Sequence, residues 1–199
     1  MGPETLAPGK KNAARLNAWL VFIDETGFLT SPLVRRSWAP RGSTPVLVQR
    51  LNSRQKASAV GALAISPRQR KVRLLISYRL HQNFNTEWAV GFLRDLRRHL
   101  GSRLILVWDN LNVHRSLRVR ALIDGWRHAR LEFLPPYAPE LNPLEYVWGY
   151  LKLNPLANLA PDQIDELVPV LDDSIARLQT QQQLLRSFIR ASPLSFSFK

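Results

Sequence analysis

No cysteine occurs anywhere in the 199 residues of the chain. Disulfide staples and thiolate metal sites are therefore excluded, and the absence agrees with a reducing compartment. Long apolar runs are missing as well: none reaches the roughly 18 residues that a membrane span needs. Residues 1–17 are polar and basic, and they lack the apolar core of a signal peptide. A cytoplasmic protein with no membrane partner is expected. Acids are scarce, 15 against 28 lysines and arginines, for a net charge of +13. A balance this basic points to a polyanionic partner, of which nucleic acid is the commonest. The cations are spread along the chain (Arg35, Arg36, Arg41, Lys56, Arg68, Arg70, Lys71, Arg73, Arg94, Arg97, Arg98, Arg103). That spread suits a broad surface tracking phosphates better than a compact address signal.

The pattern reads as one mixed α/β domain over 18–199, behind a loosely ordered tail at 1–17. Two continuous apolar runs, Trp19 to Ile23 and Leu104 to Trp108, read as strands buried on both faces. Ala57 to Ile65 and Val72 to Tyr78 read as two more, joined by a turn at Ser66-Pro67-Arg68-Gln69. Short β-like segments are expected near 33–38 and 46–51. Asn85-Thr86-Glu87 opens a helix that Gly101 closes, and 116–129 reads as a second. A short strand at 131–134 precedes a proline-rich loop at 135–143 and a helix at 144–153. The stretch 161–191 reads as a long helical region, broken near Pro169. This order places a core at 18–153 and a C-terminal helical part at 161–191.

Each all-apolar strand ends in an aspartate, Asp24 and Asp109. Ligands in open α/β sheets bind beyond the carboxyl ends of the strands. If those strands are neighbours, two carboxylates converge, and they repel each other unless a cation lies between them. Hard divalent ions prefer such oxygen ligands together with substrate phosphates, and a two-ion site acts on phosphodiesters. A third carboxylate is then needed, and Glu145 on the next helix is the candidate. Each acid has a plainer reading. An aspartate after a strand often caps the following turn. Asn142-Pro143-Leu144-Glu145 also fits a capping box, with Asn at N-cap, Pro at N1 and Glu at N3. Sequence alone leaves both readings of Glu145 open.

The segments FIDETGF (22–28), WAPRGSTP (38–45), LILVWDNLNVHRS (104–116) and LEFLPPYAPELNPLEYVWGYLK (131–152) resemble the hallmark blocks of the insertion-sequence-630 transposases, a bacterial family within the Tc/mariner superfamily of DDE enzymes. Asp109 and Glu145 are separated by 35 residues, a gap characteristic of that superfamily. The resemblance implies an α/β, RNase H-like fold, a mixed sheet flanked by helices. It implies Asp24, Asp109 and Glu145 as the triad holding two Mg²⁺ or Mn²⁺ ions, with Asp24 bridging both. The implied chemistry is cleavage at transposon ends and transfer of the freed 3′-hydroxyl into target DNA, by a homodimer acting at the nucleoid. Glu25, Asn110, His114, Asn142 and Pro143 are expected to support the site. Glu25 should face away from Asp24, because successive strand side chains alternate. Arg36, Arg41, Arg115 and Lys152 are expected to contact nucleic acid. Trp38, Tyr137, Tyr146 and Trp148 could stack on bases, although Trp148 at helical spacing is expected to be core.

Full-length members of that family resemble a two-part design with helix-turn-helix modules before the catalytic domain. Here the matching blocks begin near residue 19, and three explanations stand side by side: the downstream product of an element read in two frames, with a separately encoded helix-turn-helix partner; a truncated remnant; or a start codon placed too late. In each case phosphate-dominated and salt-sensitive DNA binding is expected. Two alternatives stand beside this reading: an RNase H-like nuclease without strand transfer, and a DNA-binding remnant with vestigial acids.

Overall fold

The computed structural model describes residues 13, 15–31, 34–36, 38–44, 46, 55–111, 113–136, 138–194, 196 and 198. Five strands are present: β1 (Trp19–Leu29), β2 (Lys56–Ile65), β3 (Val72–Leu80), β4 (Leu104–Trp108) and β5 (Ala129–Phe133). They form one sheet in the order β3-β2-β1-β4-β5. The β1–β2 and β2–β3 pairs are antiparallel, whereas β1–β4 and β4–β5 are parallel.

Helices cover both faces, which explains why β1, β2 and β4 read as unbroken apolar runs. On one face lie α1 (Thr86–Leu100) and α2 (Leu117–Asp124); on the other lie α3 (Leu144–Leu153), α4 (Val168–Thr180) and α5 (Gln182–Ala191). The alternation along β1 divides its side chains between the two cores. Leu20, Phe22 and Phe28 join the α3–α5 cluster, whereas Val21 and Ile23 join the α1–α2 cluster. By the same alternation Asp24 belongs to the α3 side and Glu25 to the α1–α2 side.

Most sequence expectations hold in outline. The helix α1 starts where Asn85 accepts a hydrogen bond from the Trp88 amide, at 2.9 Å, and ends at Gly101 with φ 91°. The stretch 116–129 is helical only to Asp124, because Gly125 ends the helix and Ala129 already pairs in β5. The C-terminal region breaks at Gln181, not at Pro169. Pro169 sits in the first turn of α4, where a missing N–H is harmless. No strand forms at the described residues 34–36, 38 or 46, and the rest of those two expected segments lies outside the described residues. The tail expectation is corrected at its end: Ala13 is buried, and Ala13, Arg15 and Leu16 are helical. Residues 1–12 lie outside the described residues.

The C-terminal helices have a definite structural role. Ile164, Leu167, Leu171, Ile175, Leu178, Leu185 and Ile189 complete the core beneath the sheet. They also seal its outer edge. The Gln182 side chain accepts from the Val72 amide at 3.0 Å and donates to the Val72 carbonyl at 2.8 Å, mimicking a ladder strand. Gln179 donates to the Leu74 carbonyl at 3.1 Å. An unpaired edge strand invites pairing with another chain, and these side chains occupy those groups.

Candidate active site

Asp24, Asp109 and Glu145 come from three separate elements and line one open cavity of about 420 Å³. The cavity lies beyond the carboxyl end of β4 and against the middle of β1, just past the Phe22–Val107 pair where their parallel pairing stops, and its far wall is the loop Leu134-Pro135-Pro136 with Ala138 and Pro139. The expectation that Asp24 ends its strand is corrected: β1 runs on to Leu29, because residues 23–29 go on pairing with β2. Asn142 fixes the third acid relative to the first. Its side-chain amide donates to the Ile23 carbonyl at 3.0 Å, just before Asp24, while its Oδ1 accepts from the Leu144 amide at 3.2 Å. Asn142 therefore pins the start of α3 against the middle of β1, and the buried Pro143 occupies the turn before α3.

The capping-box expectation for Glu145 is not met. The Asn142 amide donates to the Pro139 carbonyl at 2.8 Å, leaving no reciprocal bond for the Glu145 side chain. The Glu145 side chain is exposed, and among the described residues its carboxylate has no hydrogen-bond or ion-pair partner.

Asp24 is buried at 9% exposure and accepts from the Trp148 indole N–H at 2.9 Å. Burial, then repulsion from Glu145 and Glu25, pushes its carboxyl up to about 8, against the lowering effect of the Trp148 bond. A hard cation among these acids would reverse that balance. Trp148 is core, as expected, but its contact with Asp24 was not legible in the sequence. Room for its ring comes from Gly61, the β2 residue paired with Asp24: a Cβ there would stand 2.6 Å from the Trp148 ring.

Glu25 lies on the opposite face, as the alternation predicted. Its Oε1 accepts from the Trp108 indole at 3.0 Å, and its Oε2 lies 3.1 Å from His114 Nε2, close enough for an ion pair but not aligned as a hydrogen bond. The buried His114 stacks on Trp108 with centroids 3.8 Å apart. Its Nδ1 reaches the Asp109 carboxylate at 2.5 Å and the Asp109 carbonyl at 3.1 Å. Burial lowers the imidazole pKa, but the contacts with Asp109 and Glu25 outweigh it and push it up to about 9. Glu25, Asp109 and His114 lie close enough to form a metal-ligand cluster. The raised pKa favours the protonated imidazole, a form that has no lone pair to offer a metal and sets a cation between the two acids.

The remaining expected residues are scattered. Asn110 is exposed on the cavity wall. Arg36, Arg41 and Arg115 are exposed. Lys152 differs from them: it is half-buried, donates to Thr26 Oγ1 at 2.6 Å, and has its pKa lowered by burial despite the opposing pull of Glu145 and Asp24. Arg35, not singled out as a site residue, ties its segment to α3 by donating to the Leu153 carbonyl at 2.7 Å. Trp38 is fully exposed, Tyr146 is partly buried against the core, and Tyr137 lies outside the described residues.

A mixed five-stranded sheet between helical layers, with one acid within its central strand β1 and another just past the end of the parallel neighbour β4, defines an RNase H-like domain. Residues 19–168 match the family model of the DDE superfamily endonucleases, and the chain belongs to that family. It is 30% identical over 108 residues to an uncharacterized protein, y4pE/y4sA, of Sinorhizobium fredii (strain NBRC 101917 / NGR234), a match covering 53% of this chain and 73% of that protein. The Mos1 mariner paired-end complex with Mn has a similar structure, at TM-score 0.62 and 20% identity over 97% of this chain and 61% of that one. The isolated Mos1 mariner catalytic domain aligns at TM-score 0.51 and 17% identity, covering 99% of this chain and 98% of the other. This chain thus spans about three fifths of the Mos1 chain in its DNA complex. No helix among the described residues is long and apolar enough to cross a membrane.

Proposed function

We propose that the chain is the catalytic domain of a transposase of the insertion-sequence-630 family, cutting DNA at transposon ends and joining the 3′-hydroxyl to target DNA. The observation carrying this reading is the convergence of Asp24, Asp109 and Glu145, from three elements of a DDE endonuclease fold, on one solvent-open cavity. An all-carboxylate donor set fits Mg²⁺ or Mn²⁺, and the mutual repulsion at Asp24 is what a divalent ion would relieve. Two such ions, when bound, would activate the attacking oxygen and stabilise the leaving one. Asp24, buried and central, would hold them together with Asp109 and Glu145. Mos1 complexes with Mn and with Mg, and a Mos1 strand-transfer complex, support the choice of metal and of DNA as substrate.

The chain's own residues supply rigidity and charge. Trp148 and Asn142 fix Asp24 and the helix carrying Glu145, while His114 orients Asp109. Lys152, held beside Thr26 near both Asp24 and Glu145, offers a cation to the substrate backbone, and Arg36, Arg41 and Arg115 offer exposed ones. A homodimer bridging two ends, and a helix-turn-helix partner supplying end recognition, complete the proposal.

The test is supercoiled-plasmid nicking in Mn²⁺ by the wild type and Glu145→Gln, with a no-metal control and melting curves for both. Nicking by the wild type alone supports the triad, since glutamine at that position leaves α3 intact. Equal nicking by both folded proteins would remove Glu145 from the site. A 3′-end joining assay then separates transposition from simple hydrolysis.

A further inference from the structure

The register places Val72, Ile65, Leu20, Ile105 and Arg130 in one row across all five strands. This row marks the end of the sheet opposite Asp24 and Asp109. On β1 it lies four residues before Asp24, about 13 Å at ~3.3 Å per residue. The segments turning over at this end carry six exposed cations. Arg68, Arg70 and Lys71 occupy the β2–β3 turn; Arg103 enters β4; Arg127 and Arg130 enter β5. Among the described residues none of Arg68, Arg70, Lys71, Arg103 and Arg127 has an ion-pair partner.

The neighbouring cations are already engaged. Arg73 donates to the His99 carbonyl at 2.7 Å and lies over the Trp19 ring. Arg97 covers Trp126 at 4.8 Å, and Arg98 pairs with Asp95 at 2.6 Å. Asp124, ending α2, is the other acid at this end. The turn is also held in place: Ser66 Oγ accepts from the Arg70 and Lys71 amides at 3.1 and 3.0 Å, and Arg186 donates to the Arg70 carbonyl at 2.6 Å. Like charges gathered on a fixed frame repel one another, which weakens the fold unless a polyanion meets them. From β3 to β5 the row spans roughly 19 Å at ~4.8 Å per strand. That width matches several phosphate steps of duplex DNA, far more than one small anion would fill.

We propose that this end of the sheet is a second DNA-binding surface, separate from the cleavage cavity, which holds duplex DNA through its phosphates without reading bases. The proposal rests on the reading of the chain as a DNA-processing domain and adds where the duplex is held away from the reacting phosphate. Such a surface makes affinity depend on salt and hardly on sequence.

The test is binding of a short fluorescent duplex in EDTA across a salt series, since phosphate capture by arginine needs no metal. Three folded proteins are compared. One is the wild type. The second carries Arg68→Gln, Arg70→Gln, Lys71→Gln, Arg103→Gln and Arg127→Gln. The third, a charge-matched control, carries Arg94→Gln, Arg118→Gln, Arg120→Gln, Arg177→Gln and Arg190→Gln. Each lost phosphate contact should reduce the slope of log affinity against log salt by about 0.9. The first variant should lose at least about two units of slope and roughly 10²-fold in affinity at moderate salt, while the control loses much less. Equal losses in the two variants would reduce the effect to net charge and overturn the surface, and so would unchanged binding by the first. The functional reading fails separately, if the wild type shows no Mn²⁺-dependent nicking.

Discussion

Asp24 and Glu25 are neighbours on one strand, each takes an indole N–H, and they live in opposite worlds. On the α3 face Trp148 holds one oxygen of Asp24, while burial and nearby acids push the carboxyl up to about 8. On the α1–α2 face Glu25 is met by Trp108 and by His114, whose pKa is pushed up to about 9. One face concentrates acids beside the constrained Lys152; the other sets the His114 imidazole between two acids. The difference teaches how to separate a ligand site from its support. The support is already neutralised by the protein, whereas the site is left short of positive charge. Asp109 belongs to both, since it lines the cavity and is gripped by His114.

The sharpest way to break this contrast is to neutralise each neighbour in turn. Asp24→Asn keeps the size of the side chain and removes a metal-bridging charge. Plasmid nicking in Mn²⁺ should fall about 10³-fold, which corresponds to several kcal/mol of transition-state stabilisation. Glu25→Gln keeps an acceptor for Trp108 and removes only the charge facing His114. Outer partners of ligands typically affect metal affinity or activity by about 10–100-fold, and a loss of that size is expected in Mn²⁺ affinity measured by calorimetry. Losses in the reverse order would show that Glu25, not Asp24, is the ligand.

The contrast was half legible in the sequence. Period-two alternation assigns Asp24 and Glu25 to opposite faces, and the apolar run 104–108 places Asp109 at a strand end, but the run 19–23 stops short of its strand, which carries Asp24 in its middle and ends at Leu29. The partners were not legible. Trp148 read as core because helical spacing says which face a residue occupies, not which polar atom its indole finds 124 positions away. Gly61 passed without notice inside a buried strand, since only the packed structure shows a tryptophan ring where its Cβ would be. Glu145 misled in the other direction. A capping box is a local pattern, but the Asn142 amide was taken by Pro139, a competitor that the pattern does not include. The C-terminal helices were visible as helices, yet their glutamines' grip on β3 depends on tertiary placement alone.

Gly61 offers a gentler test, because it alters the Asp24 side without touching an acid. Gly61→Ala brings a methyl against the Trp148 ring, which has the β1–β2 sheet on one side and the α3 core on the other. Overpacking of this kind costs about 1–3 kcal/mol, read as a lower midpoint in urea. The ring must shift to make room, so the Trp148–Asp24 bond should weaken and nicking should fall further than the lost stability explains. Glu25 and its partners, on the far face, should be unaffected: the Trp108–His114 stack should give unchanged ring-current shifts. A variant as stable and active as the wild type would mean that Trp148 does not hold Asp24.

In the dependence of metal-free stability on pH the two faces run in the same direction for different reasons. Asp24 has its folded pKa raised from 3.8 to about 8, so the folded protein binds that proton more tightly than the unfolded chain does. Stability from this group is full at low pH and is lost as pH rises between about 4 and 8. His114 is raised from 6.5 to about 9, so its contribution is full below 6.5 and is lost as pH rises towards 9. Melting temperature in EDTA should therefore decline from mildly acidic to alkaline pH. Asp24→Asn should remove the part of the decline below pH 8 and leave the part near 9. The Asp24 shift corresponds to several kcal/mol, at ~1.4 kcal/mol for each pH unit between its two values, and about 1 kcal/mol moves a domain of this size by roughly 2–4 °C, so the two proteins should differ by on the order of ten degrees. Mn²⁺ should restore the alkaline wild type and not Asp24→Asn, because only an ionised Asp24 gains from the ion. Should the two proteins decline in parallel, Asp24 is ionised in the metal-free fold, and the shortage of positive charge on its face is smaller than its surroundings imply.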